Sequence, residues 1–344
     1  MWLTAALSLL GSATAAATFR GENGRIAFVR EGRLFTIKPN STGLRLLTPS
    51  GSDRSAPTWS ADGSRIAFLR YIRRGSALFV VHADGSKLRR VSSFTRAFPS
   101  EGAWRPGSRQ VLYHDVRADE TPVVGAVKLA KADGSGERNL TGYGDLNANP
   151  DWSPTGRRFV FERDAGGIPG GAPGQADAEI WVMRADGSGA TRLTRNDVLD
   201  DGPAWSPDGG RITFARTVEG GPNGDLGADL WIMNPDGSNQ TQLTTITGFV
   251  KQPQWSPNGR RILFARITPS TPTSDLFTIK SDGRDLKRIA TMRTHIQPID
   301  ATWSPDSRRV LMTTPKGILR IARADGSNAR TLTRGDGFTD WQAR

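Results

Sequence analysis

Carboxylates, carboxamides, a lysine and a histidine recur at matching points of this chain, just ahead of a phrase that opens on tryptophan. They are Asp53, Arg54, Glu101, Asp145, Asn147, Asn149, Asp200, Asp201, Lys251, Gln252, His295, Gln297, Asp300 and Asp336. Brought together by a fold, such a set forms a polar funnel that could hold a cation, a sugar or a peptide end. The densest acidic group is Asp197, Asp200 and Asp201. It offers the several oxygens a hard cation wants, and calcium is the ion it would take. It lacks the spacing of a recognised calcium loop, and strand-flanking Asp is more often a turn former. No metal or other cofactor is therefore assigned.

Other chemistry is poorly served. His82, His114 and His295 fall in different repeats with no ligand spacing. Asp62, Asp208 and Asp306 recur in one turn, where Asp favours the bend. There is no cysteine, which excludes disulfides, thiolate zinc sites and a cysteine nucleophile. No Gly-x-Ser-x-Gly elbow occurs. No catalytic residue is assigned.

The elements that must position these residues are strands. Trp59, Trp104, Trp152, Trp205, Trp255, Trp303 and Trp341 open successive copies of one phrase, 38 to 53 residues apart. Its clearest copy runs Trp205-Ser206-Pro207-Asp208-Gly209, then Ile212-Thr213-Phe214, Leu230-Trp231-Ile232-Met233, Asp236-Gly237-Ser238 and Leu243-Thr244. Short apolar, β-branched or aromatic runs bounded by Gly, Pro and Asp read as strands. Asp-Gly supplies the positive φ that tight turns need. The tryptophans repeat in register with these runs and read as packing between units. Four strands per unit at this period predict an all-β, seven-bladed β-propeller of four-stranded antiparallel blades. The first unit lacks its opening strand, and the chain ends on an unattached one at Phe338-Thr339-Asp340-Trp341. The C-terminal strand is therefore expected to pair with the N-terminal blade and close the ring.

These phrases resemble the WD40-like (PD40) repeats of TolB-type β-propellers. The resemblance rests on the Trp205 to Gly209 box and on the Ile180 to Thr194 segment, and it covers about residues 25 to 341. It implies a six-bladed ring as the alternative to seven. It also implies a cell-envelope setting, and it keeps oligogalacturonate-lyase-like propellers in view.

Residues 1–17, with an apolar core followed by small residues, read as a signal peptide or its remnant; residues 18–344 read as a single propeller domain. The chain is then exported, to a periplasmic, cell-wall or extracellular location, with no transmembrane segment after the leader. Net charge is +12, and eight of the 46 basic residues are Lys. Arginine pairs such as Arg157-Arg158, Arg260-Arg261 and Arg308-Arg309 follow the repeat, as a solvated surface would. The charge suits an anionic cell-envelope polymer, whereas no nucleic-acid-binding module is present. The expectation is a monomeric, non-enzymatic propeller that binds a protein or envelope ligand on its loop-rich face. Its candidate residues are Asp53, Arg54, Glu101, Asn147, Asn149, Asp200, Asp201, Lys251, Gln252, His295, Gln297 and Asp300. The competing class is a carbohydrate-active lyase or hydrolase with two carboxylates, or a His and a metal, converging in the central channel.

Overall fold

Strands buried on both faces read as continuous apolar runs rather than alternating ones, and that is how the second and third strands of each repeat behave. In Asn23–Arg30 the consecutive residues Ile26, Ala27, Phe28 and Val29 are all buried, Ile26 and Phe28 toward one neighbouring sheet and Ala27 and Val29 toward the other. The computed structural model describes residues 19–49, 57–72, 75–95, 98–100, 102–117, 123–164, 178–218, 227–271, 273–294, 298–335 and 339–344. Among these residues there is no helix, and none long and apolar enough to cross a membrane. The leader assigned to residues 1–17 lies outside the described residues.

The described strands make seven four-stranded antiparallel blades. Blade 1 is built from Thr339–Ala343, Asn23–Arg30, Arg33–Ile37 and Arg45–Leu46, from the inner strand outward. Its inner strand is the chain's C-terminus, with Trp341 opposite Ile26 and Asp340 opposite Ala27, as the sequence predicts. The inner strands of blades 2 to 7 end at Trp59, Trp104, Trp152, Trp205, Trp255 and Trp303. Isolated parallel bridges, Gly125 with Leu146 and Ala228 with Phe249, tie blade 3 to blade 4 and blade 5 to blade 6.

Each seam between blades has its own apolar core. At the closing seam, Leu311, Leu319 and Ile321 of blade 7 meet Ile26, Phe28 and Trp341 of blade 1. Burying one such side chain stabilises by about 1.5–3 kcal/mol, so a blade with its neighbours removed has no core of its own. The tryptophans belong to these seams. The indole Nε1 atoms of Trp104, Trp152, Trp255 and Trp303 donate to the carbonyls of Thr58, Ala103, Ala204 and Gln254 on the preceding blade. The Asp-Gly turn adds a second lock. Gly237 adopts φ +84° and sits so close to the preceding blade that a Cβ there would lie 2.5 Å from the Leu193 carbonyl.

Candidate functional site

The inner strands of blades 4, 5 and 6 all carry a register shift, between Ala148 and Asp151, Asp201 and Ala204, and Lys251 and Gln254. Each shift spans an X-Pro pair two residues before the Trp: Asn149-Pro150, Gly202-Pro203 and Gln252-Pro253. Proline cannot donate to the ladder, and a bulge is the usual place for it in a strand. The residue before it turns to positive φ: 48° at Asn149, 58° at Gly202 and 54° at Gln252. The bulges bring polar residues of three adjacent blades onto neighbouring inner strands.

Two second-strand side chains hold the bulges. His114 Nδ1 accepts the Asn149 N–H at 3.0 Å, and Glu162 Oε2 accepts the Gly202 N–H at 3.1 Å. They occupy one repeat position in adjacent blades, where the other blades carry Val29, Leu69, Ala215, Ala265 and Thr313. Glu162 was not among the residues expected from sequence, and His114 was considered only as a metal ligand. The signal was there: a charge or an imidazole where the repeat asks for a small or apolar residue. Burial drives the His114 pKa down to about 4, so Nδ1 is free to accept. Burial, and then the charge of Asp201, push Glu162 above the usual carboxylate range. Lys251 on blade 6 forms an ion pair with Asp201 on blade 5. Burial pulls the Lys251 ammonium down, but Asp201 and Glu162 outweigh it and hold it charged.

Of the expected site residues, Asn149, Asp201 and Lys251 come together around Glu162, with Gln252 at the third bulge. Asn147 and Asp200 are committed elsewhere. Asn147 donates to the carbonyls of Gly125, Gly142 and Asp145 and accepts from Arg163. Asp200 takes both arms of Arg216, at 2.7 and 2.8 Å, and the Asn196 amide at 2.9 Å. Asp300 lies apart, at the seam that closes the ring. Its carboxylate is pushed up to about 7, by burial and then by Asp340. Asp53, Arg54, Glu101, His295 and Gln297 lie outside the described residues, as do most of the long loops at 115–124, 164–177 and 217–228. Among the described residues no three His, Cys, Asp or Glu side chains converge as metal ligands.

Thr58, Trp59, Gly102, Ala103, Trp104, Asp151 and Asp340, together with Phe19, line a small cavity of about 10 Å³, room for roughly one water. Asp340 accepts the Trp59 N–H at 2.6 Å and Asp151 accepts the Trp205 N–H at 2.7 Å, so each latches a blade that is not its own. Glu162 is 1% exposed and Asp201 6%. Neither carboxylate presents an open face to solvent.

Residues 173–338 match the family model PD40, described as the TolB beta propeller domain. Nearly half of this chain is thus similar to TolB-type propellers of PD40 repeats. Over 143 residues it is 30% identical to the Tol-Pal system protein TolB of Anaeromyxobacter dehalogenans (strain 2CP-C), a match covering 41% of this chain. That match spans 29% of the relative, so the TolB-like chain aligns with less than a third of the curated relatives' length. TolB from Acinetobacter baumannii superposes with a TM-score of 0.60 at 16% identity, over 95% of this chain and 82% of that one. An oligogalacturonate lyase in complex with manganese superposes at 0.68 and 13% identity, over 88% and 86%. Both structural likenesses concern the fold alone.

Proposed function

We propose that this TolB-like propeller is exported and works in the cell envelope by binding a protein ligand over the channel mouth formed by the bulges of blades 4 to 6. The carrying observation is the polar cluster at the bulges. They gather Asn149, Asp201, Lys251 and Gln252 on three neighbouring inner strands. Relatives named as Tol-Pal system proteins support an envelope setting with protein partners. The net charge of +12 adds attraction to anionic envelope polymers. A lyase or hydrolase in the channel fits less well, because its carboxylates are enclosed.

A photo-crosslinking residue tests the reading. Gln252→p-benzoylphenylalanine is placed at the mouth and Ser327→p-benzoylphenylalanine on the opposite turn face, and each protein is exposed to an envelope fraction. A discrete protein adduct from position 252 and none from 327 is expected. The reverse pattern, or identical adducts from both, overturns the proposal.

A further inference from the structure

We propose that the seam between blades 6 and 7, on the turn face opposite the mouth, is a binding site for phosphate oxyanions. The inference does not depend on the protein-binding reading. Arg261, Lys287, Arg308, Arg309 and Arg323, with Asp325, line a cavity of about 500 Å³. The repeat supplies internal controls. Strand register places Arg261 and Arg309 at the start of the second strand and Arg323 at the end of the third. The same five positions at the blade 4–5 seam hold Arg158, Thr191, Gly210, Arg211 and Asn234. At the blade 3–4 seam they hold Gln110, Arg138, Arg157, Arg158 and Arg184, and at the blade 5–6 seam Arg211, Thr241, Arg260, Arg261 and Lys280. Only the 6–7 seam is cationic at all five.

The charge is not consumed internally. Arg261 is held by the Asp285 carboxylate at 2.7 Å and by the Asp285 carbonyl at 2.7 Å, and Lys287 approaches the same carboxylate at 3.5 Å. Arg308, Arg309 and Arg323 are in no salt bridge among the described residues. Arg309 feels Asp306, and Arg323 feels Asp325, only through space. Five cations face three carboxylates, and a concave site concentrates the remaining positive field. At other seams a long side chain spans to the next turn and occupies its carbonyls, as Arg138 does on Ala185 and Asp186. Here Lys287 turns to Asp285 on its own blade, which leaves the cavity open.

The walls are firm. Thr278 Oγ1 donates to the Ala324 carbonyl at 3.2 Å, and Gly326 packs directly on Ile289. The cations come from separate strands and turns of two blades and approach from several sides. A planar carboxylate satisfies one guanidinium fork, whereas a tetrahedral phosphate presents oxygens to several. Tripolyphosphate fits the cavity and is the probe of choice.

The test is titration calorimetry of the full chain with tripolyphosphate. It compares the native protein, R309Q/R323Q, and a control, R157Q/R184Q, that removes two charges from blade 4 on the same face. Saturable binding is expected to weaken about tenfold or more in R309Q/R323Q and less than about twofold in the control, with thermal unfolding unchanged in both. Equal weakening in the two variants, or no saturable binding by the native chain, overturns the proposal. Vesicles of phosphatidylcholine with and without phosphatidylglycerol then identify the source of the phosphate. Loss of vesicle binding in R309Q/R323Q alone points to a lipid headgroup. Vesicle binding that is absent, or unaffected by R309Q/R323Q, points to a soluble phosphate.

Discussion

At the scale of single residues, the inner ring is held by buried carboxylates that act as backbone acceptors. Asp340 takes the N–H groups of Trp59 and of its own neighbour Trp341, at 2.6 and 2.7 Å. Burial nonetheless pushes its pKa from 3.8 to about 7. The folded chain therefore holds a proton that the unfolded chain releases above pH 3.8. This contribution is fully present below that pH and is lost as pH rises through about 7. D340N cannot titrate. It has a fixed cost, because one N–H then faces an amide NH₂, but that cost does not change with pH. Between pH 5 and pH 8 the variant should gain about 1–3 kcal/mol relative to the native chain. Urea unfolding at both pH values reads this directly, and parallel losses would contradict it. Glu162 admits a sharper contrast. E162Q keeps an acceptor for the Gly202 N–H, whereas E162L orphans it in a buried bulge at a cost of about 1–3 kcal/mol. Denaturant midpoints at pH 8 should place E162Q near or above the native chain and E162L well below it.

At the scale of elements, the seam rather than the sheet is the unit that sets stability. Gly237 combines a positive φ with a 2.5 Å approach to Leu193 of the preceding blade. G237A should therefore cost about 2–4 kcal/mol through backbone strain and displacement of the blade 4–5 seam. Gly107, also at positive φ but with nothing within 4 Å, is the control. G107A should cost only the conformational part, about 1 kcal/mol. Equal losses would show that the turn, not the seam, sets the cost. Much of this level is legible in the sequence because it repeats: strand types, turn positions, the tryptophans and the closing strand all follow from phrases copied around the ring. The site was less legible for the same reason. It is made of departures from the repeat, and its parts do not stand out one at a time. Asn149, Asp201 and Lys251 were found by their position before the Trp. Asn147 and Asp200 share that position but face Arg163 and Arg216 of their own blades, because side chains alternate along a strand and a bulge reverses the alternation. Glu162 was hidden inside a strand phrase. The basic seam was hidden because lateral neighbours come from residues about 50 apart in sequence.

At the scale of the whole molecule, the ring is joined by one strand that is remote in sequence from the sheet it completes. Arg344 and Glu22 exchange backbone hydrogen bonds at 3.0 and 2.8 Å, so the two ends of the described chain lie side by side. A circular permutant can exploit this. A short Gly-Ser linker joins Arg344 to Gly21, and the chain is opened between Gly335 and Thr339. Every blade then becomes contiguous in sequence, and every strand pairing is kept. What is lost is the covalent crossing from blade 7 into the inner strand of blade 1, so only the apolar seam of Leu311, Leu319, Ile321, Ile26, Phe28 and Trp341 holds the circle shut. Closing a long loop restricts the unfolded chain by an amount comparable to a cross-link, so the permutant should be less stable by about 2–4 kcal/mol. Its circular dichroism should match the native chain. Its first and last blades should exchange amide hydrogens faster than blades 3 to 5, because the opened seam becomes the weakest link in a one-dimensional stack. A permutant of undiminished stability with uniform protection would mean that seven adjoining cores close the ring unaided and that the terminal strand is a convenience of chain order.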